Sequence, residues 1–459
     1  MDPISDVSSK LEARAVTFVK QHRLPGAAVG VVHGDSLAWA SGLGYVHVAS
    51  RKAPDSATLY RVASITKTFT GTAILQLRDE GRLHLDDPAV IYLPEIGPVS
   101  SPFGAIETVT IRRLLSHESG LQSEPPGTDW STPMYEGLIQ RNLERATEVA
   151  TTMPPNAQSK YSNLGYQLLG EVVARVSGVP YVDYVRTQIL GPLGMHDSGF
   201  EPLPAGLKDR LATGYAARFL SDELPLASNP PMVWAEGGLS SCVGDLARWV
   251  SFQFREEGGP RSGSQILSGT SLKEMHTARY LADEAWTQAF CISWYAVRKN
   301  DMIWVQHSGG LHGFNTNICF DPEHKVGAIV LLNGVGPASD LAMELASVAR
   351  DAVREAAPAI EPPAPMPVAY SDLLGLYVDT EQAMVLRLEW RDGALVFIDP
   401  SDETWRPKLT PTQDPQTFAV AQGVRESGEH AVFVRDAGGQ VSSVFLAAGT
   451  LLRFGPVGA

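Results

Sequence analysis

Between Ser5 and His22 the apolar residues Val7, Leu11, Ala15, Phe18 and Val19 recur every three or four positions, which predicts an amphipathic helix. The period then changes. Gly26-Ala-Ala-Val-Gly-Val-Val-His33 is a short apolar run bounded by glycine and reads as a strand, with Ser36 to Gly44 its hairpin partner across a Gly34-Asp35 turn. Ser64 to Glu80 returns to helical spacing, with Ile65, Phe69, Ala73 and Leu77 on one face. From Asp86 to about Pro230 the pattern is helix and loop, with amphipathic segments at Thr110 to Leu115, Met134 to Ala146 and Leu164 to Val176. Three strand signals follow, Met302 to Gln306, Asn315 to Phe320 and Val326 to Leu332, and then a helix over Ala338 to Ala356. Strands open and close the first 355 residues while helices fill the centre. Early and late strands would share one antiparallel sheet flanked by helices, with an all-helical lobe beside it: an α/β (α+β) architecture.

Five prolines between Ala356 and Ala369 (Pro358, Pro362, Pro363, Pro365 and Pro367) predict a stiff, extended linker. Beyond it, Leu386 to Trp390, Ala394 to Ile398, Ala431 to Val434 and Val444 to Leu446 are short strands between turns containing Asp-Gly or Gly-Gly. They predict a small all-β barrel or sandwich. The expected organisation is a first domain over 1–355, a linker over 356–369 and a β domain over 370–459. That β domain would shape a cleft mouth, mediate a homo-oligomer or be passive.

Hydrophobic residues make up 44% of the 459 and charged ones 19%, ordinary values for a globular chain. The formal net charge of −14, without a clustered basic stripe, argues against nucleic acid or an anionic membrane surface as partner. The longest apolar stretch, Val326 to Leu332, is far short of a membrane span. The acidic, polar N-terminus carries no leader-like segment, so a cytoplasmic location is expected, or a periplasmic or secreted one if a leader has been removed. Cys242, Cys291 and Cys319 are too few and scattered for a disulfide framework and read as buried thiols. No metal-ligand spacing is seen: His196-Asp197 reads as a turn, His117 as structural, and His312 as either a cleft residue or a surface turn. No metal or cofactor is expected.

Three segments carry chemistry. In Ser64-Ile65-Thr66-Lys67 a serine and a lysine three residues apart lie on one face at a helix start. A serine hydroxyl needs a neighbouring base before it attacks, and a lysine desolvated in a cleft supplies one. Chance alone yields one such spacing in a chain of this size, yet only this lysine has a serine three positions before it. In Tyr161-Ser162-Asn163 a phenol beside a cationic amine serves as general base, and the asparagine amide orients the lysine and a substrate carbonyl. The same triplet also fits an ordinary loop-to-helix junction capped by Asn163. In His307-Ser308-Gly309-Gly310 the small residues at a strand end would let substrate backbone approach, and the Gly310 N–H would join that of Ser64 in holding an oxyanion. A glycine-rich hairpin turn reads equally well. No Gly-x-Ser-x-Gly elbow and no Gly-x-x-x-x-Gly-Lys loop occurs.

Taken in order, the three segments resemble the Ser-x-x-Lys, Tyr-x-Asn and Lys/His-x-Gly boxes of the serine β-lactamase and penicillin-binding protein superfamily, most like its class C branch. Ile111 to Leu121, Gly194 to Ser198 and Gly237 to Ser241 also look like family text, and the resemblance covers about residues 5 to 355. The β domain resembles the small lipocalin-like barrels appended to some members. The resemblance implies a β-lactamase/transpeptidase-like fold and a serine hydrolase with Ser64 as acylated nucleophile. Lys67 and Tyr161 would share acid/base work, Asn163 would contact Lys67 and the substrate amide, and His307, Gly309 and Gly310 would line the substrate and oxyanion sites. The substrate would be a small molecule or short peptide: a β-lactam, a D-amino-acid peptide or a carboxylic ester. His307 departs from the lysine of dedicated β-lactamases, and a histidine there would be only partly charged near neutral pH. A transacylase using the same residues and a non-catalytic scaffold are the alternative readings.

Overall fold

The computed structural model describes residues 2–125, 127–128, 142–157, 159–216, 235–254, 266–299, 302–311, 313–356, 365–379, 384–400, 406–422, 427–446 and 449–455. The chain divides into two compact units, Met1–Ala356 and Ala357–Ala459. Most of the Met134 to Ala146 segment, and His312, lie outside the described residues.

In the first unit the run Gly26–His33 forms a strand buried on both faces. It lies between its hairpin partner Ser36–Gly44 and the late strand Val326–Leu332, in a register from Ala27 opposite Leu332 to His33 opposite Val326. The eight-stranded antiparallel sheet thus joins the two ends of the unit, as the placing of apolar runs allowed. Alternation decides which layer each residue joins. Val29, Val31, Ala328 and Val330 pack with Leu11, Ala15, Leu341 and Leu345 of the helices Ser8–Gln21 and Ala338–Ala356. Ala28, Val32, Ile329 and Leu331 face the helical lobe, among Phe69, Trp249 and Leu246.

The helix Thr66–Asp79 departs from its sequence reading. Rather than showing one apolar face, it is buried continuously from Thr66 to Leu77. Its polar positions are absorbed by the backbone: Thr68 donates to the Ile65 carbonyl at 2.8 Å and Thr72 to the Thr68 carbonyl at 3.0 Å. Phe69 stacks on Trp249 at 3.8 Å between ring centroids, anchoring the helix in the lobe. Two features were not foreseen. Tyr60–Arg61, Leu239–Ser241 and Gly199–Phe200 form a small separate sheet, and Tyr280–Leu281, Gln288–Phe290 and Tyr295–Lys299 extend the main one. All but Tyr295–Lys299 are two or three residues long, too short to show a period.

The second unit is a closed eight-stranded antiparallel barrel from Gly375–Asp379 to Gly449–Gly455, whose first and last strands pair. Its interior is filled by side chains, with Tyr377, Phe397, Phe418 and Phe433 in edge-to-face contacts. Half of its strands were unread in the sequence; Lys408–Pro411, for example, is short and polar.

Candidate active site

Ser64 sits on a 3-10 turn, Ala63–Ile65, that runs directly into the helix Thr66–Asp79. The residue before it, Ala63, has φ 47°, a left-handed conformation that costs a residue with a side chain about 1 kcal/mol or more. Three contacts hold this turn. Thr316 Oγ1 donates to the Val62 carbonyl at 3.0 Å, Thr66 Oγ1 donates to the Ala63 carbonyl at 2.7 Å, and Gly309 presses against both residues. A Cβ on Gly309 would stand 2.1 Å from the Val62 oxygen, so only glycine fits. Gly310 is different: a Cβ there would meet nothing nearer than Asn315 Nδ2 at 3.5 Å.

Lys67 is fully buried one turn into the helix. Its Nζ donates to Ser64 Oγ at 3.1 Å, to Asn163 Oδ1 at 2.7 Å and to the Glu236 carbonyl at 2.6 Å. Three acceptors match the three hydrogens of an ammonium. The Tyr161 ring centroid lies 4.9 Å from the same nitrogen. Serine, lysine, tyrosine and asparagine therefore converge, though they are up to 99 positions apart. Among the described residues the Tyr161 hydroxyl makes no hydrogen bond to the protein.

The loop-to-helix junction carries a correction. Ser162, not Asn163, caps the helix Asn163–Ser177, accepting from the Gly165 N–H at 3.0 Å. That releases the Asn163 amide, whose oxygen takes Lys67 and whose nitrogen donates to Glu124 Oε1.

His307 lies within the strand Met302–Leu311, not beyond a strand end, and this strand is internal to the sheet. On one side it pairs from Val305 to Leu311 with Phe314–Asp321; on the other, pairing with Tyr295–Lys299 stops at Gln306. From His307 onward that edge is unpaired among the described strands, so an internal strand still offers an open edge beside Ser64. Ser308 and Gly310 are exposed, while His307 and Gly309 point inward.

His307 is also corrected in charge. It is 2% exposed, and burial together with Lys67 holds its pKa at about 3, far below the ordinary histidine value. Nδ1 lies 2.7 Å from the Ser308 carbonyl, which only accepts, so Nδ1 carries the hydrogen and Nε2 is a bare acceptor. The ring is neutral, not half-charged.

His117 holds the tyrosine segment from behind. Its Nδ1 accepts from the Ser162 N–H at 3.1 Å, its carbonyl accepts from the Lys160 N–H at 2.7 Å, and its ring lies 4.4 Å from that of Tyr161. Burial, with Lys67 and His307 nearby, keeps it neutral, as an acceptor must be. His117→Ala is expected to strand a buried N–H at a cost of about 1–3 kcal/mol and to loosen Tyr161. Urea denaturation and fluorophosphonate labelling rates would register both effects.

Sequence reasoning missed the acids beside Lys67. Glu124 is half-buried and Glu236 fully buried, and in each burial raises the carboxyl against the pull of Lys67, Glu236 to about 7. A signal was present: Asn163 and Gln167 are four apart on one helix face, and Gln167 Nε2 reaches Glu236 Oε1 at 2.8 Å. Away from the cleft, Asp197 is ion-paired with Arg210 at 2.8 Å, and Asp245 accepts from the Asp197 N–H and the Ser198 hydroxyl. The three cysteines are free and buried.

A family model described as Beta-lactamase matches residues 11–352. The chain belongs to the β-lactamase family. "Protein flp" of Staphylococcus aureus (strain COL) is 30% identical over 319 residues, covering 69% of this chain; the chain spans only 61% of that relative's length. The octameric penicillin-binding protein homologue from Pyrococcus abyssi superposes with a TM-score of 0.63 at 24% identity, over 97% of this chain and 99% of its own. A class C β-lactamase superposes with a TM-score of 0.62 at 21% identity, over 77% of this chain and 98% of its own. These likenesses show the β-lactamase and penicillin-binding protein fold for the first unit.

Proposed function

We propose that the chain is a serine hydrolase that forms an acyl-enzyme on Ser64, acting on uncharged esters or amides in preference to carboxylate-bearing β-lactams. The observation that carries the reading is the Lys67 nitrogen, bonded at once to Ser64 Oγ and Asn163 Oδ1 with the Tyr161 ring against it. The Ser64 proton passes to the Tyr161–Lys67 pair as Oγ attacks the substrate carbonyl carbon. The carbonyl electrons move onto oxygen, where the N–H groups of Ser64 and Gly310 receive the charge. Collapse expels the alcohol or amine, which takes back the proton, and water repeats the sequence to free the acid and Ser64. The open edge from His307 to Gly310 would align the acyl part of the substrate.

The preference for uncharged substrates follows from His307. A neutral ring with an acceptor nitrogen offers no cation to a substrate carboxylate, and a carboxylate facing it would be desolvated without a partner. In a panel of p-nitrophenyl esters, nitrocefin and D-alanyl anilides, the ester is expected to show a kcat/KM at least about tenfold above nitrocefin. All activity should vanish in Ser64→Ala. Nitrocefin as the better substrate would overturn the preference; activity surviving in the alanine variant would overturn the mechanism.

A further inference from the structure

We propose that Glu236 is a positioning residue for this chemistry: its peptide oxygen fixes Lys67, and its buried carboxylate supplies the counter-charge beside it, so that acylation is faster with the ionised acid. The inference rests on the acyl-enzyme reading above.

One residue serves Lys67 twice. The Glu236 carbonyl is the shortest of the three contacts to Nζ, at 2.6 Å, and the side chain of the same residue is 1% exposed in the adjoining interior. Its Oε1 accepts from Gln167 Nε2 at 2.8 Å, and Gln167 Oε1 in turn accepts from Asn142 Nδ2 at 2.8 Å. Its Oε2 is buried with no hydrogen-bond partner among the described residues. A carboxyl so enclosed either stays protonated or is ionised beside a cation that offsets its desolvation. Lys67, from the helix Thr66–Asp79, is the cation whose field favours the ionised form. Among the described residues the other titratable groups facing it are Glu124, from the loop after the helix Ile111–Leu115, and the Tyr181 hydroxyl, from the helix Tyr181–Val185. Glu124 opposes ionisation, and Tyr181 is kept neutral by burial. Gln167 contributes a fixed dipole from the helix Asn163–Ser177.

The balance between burial and Lys67 leaves the Glu236 carboxyl titrating at about 7. Above that pH the carboxylate supplies negative charge beside the Lys67 nitrogen, which keeps its contacts to Ser64, Asn163 and the Glu236 carbonyl with the Tyr161 ring 4.9 Å away. Below it the neutral acid withdraws its support, and a buried ammonium short of counter-charge is costly. Acylation therefore gains rate as pH rises through about 7.

The test is the pH profile of Ser64 acylation, read with a fluorophosphonate and with the ester burst from about pH 5 to about pH 9. Glu236→Gln keeps the shape and an acceptor for Gln167. It is expected to lose the acid limb and to acylate roughly tenfold more slowly than wild type above neutrality, the scale of one unit of pKa displacement in the groups it supports. Glu236→Asp should restore a limb. Gln167→Met, which removes the donor to Oε1, should move the limb to higher pH, and this keeps the inference open to refutation if Glu236→Gln fails to fold. An unaltered limb in either Glu236→Gln or Gln167→Met would overturn the role of Glu236. Wild-type protein giving no adduct on Ser64 would instead overturn the acyl-enzyme reading itself.

Discussion

Replacement of Ser64 by alanine is expected to abolish covalent labelling by fluorophosphonate and to lower ester turnover by several powers of ten, about the loss seen when a covalent nucleophile is removed. The expected size follows from what remains. Lys67, Tyr161 and Asn163 keep their other contacts, since Lys67 loses only the 3.1 Å bond to Oγ and retains those to Asn163 and Glu236. The fold should be unmoved, because the half-buried Ser64 side chain contributes little to the core. Thermal melting of the two proteins should coincide while labelling disappears. A variant that still labels would mean that another residue is the nucleophile.

The second large effect concerns the strand edge that shapes the cleft. Gly309→Ala is expected to destabilise the first unit by about 1–3 kcal/mol, the scale of an overpacked core position. The added methyl would stand 2.1 Å from the Val62 oxygen and 2.5 Å from Thr316 Oγ1, and neither neighbour is the end of a flexible chain. To relieve the clash, the strand must part from the turn that carries Ser64. Activity should fall with stability. Gly310→Ala is the control, since a Cβ there makes only an ordinary contact. Urea denaturation compared across the two variants decides the matter: equal stability would mean the turn and strand are not tightly apposed.

How far the sequence reached can be judged from these same residues. The helix carrying Lys67, with Ser64 on the turn that leads into it, was legible because a 3.6-residue period and a three-residue spacing are both local. So were the three strands of the sheet centre, where apolar runs are uninterrupted. The two-residue strands were illegible because so short an element holds no full period, and half of the barrel strands also went unread in the sequence. His307 was read as a residue following a strand, with a partial charge. Its actual strand runs through to Leu311, and its charge is set by burial, which a sequence does not display.

The chain alone determined which atoms are available for chemistry: a hydroxyl, an amine, a phenol and an amide at fixed intervals, with glycines where a backbone must come close. It also allowed the two ends of the first unit to share one sheet, because such unbroken apolar runs suit strands buried on both faces. Tertiary structure decided everything that depends on distance and water. It placed Glu236 beside Lys67 across 169 residues, gave Asn163 to the lysine by letting Ser162 cap the helix, and silenced His307 by enclosing it. The physical reason is that proton affinity depends on the dielectric and charges within a few ångströms, and those neighbours are fixed only when distant segments pack.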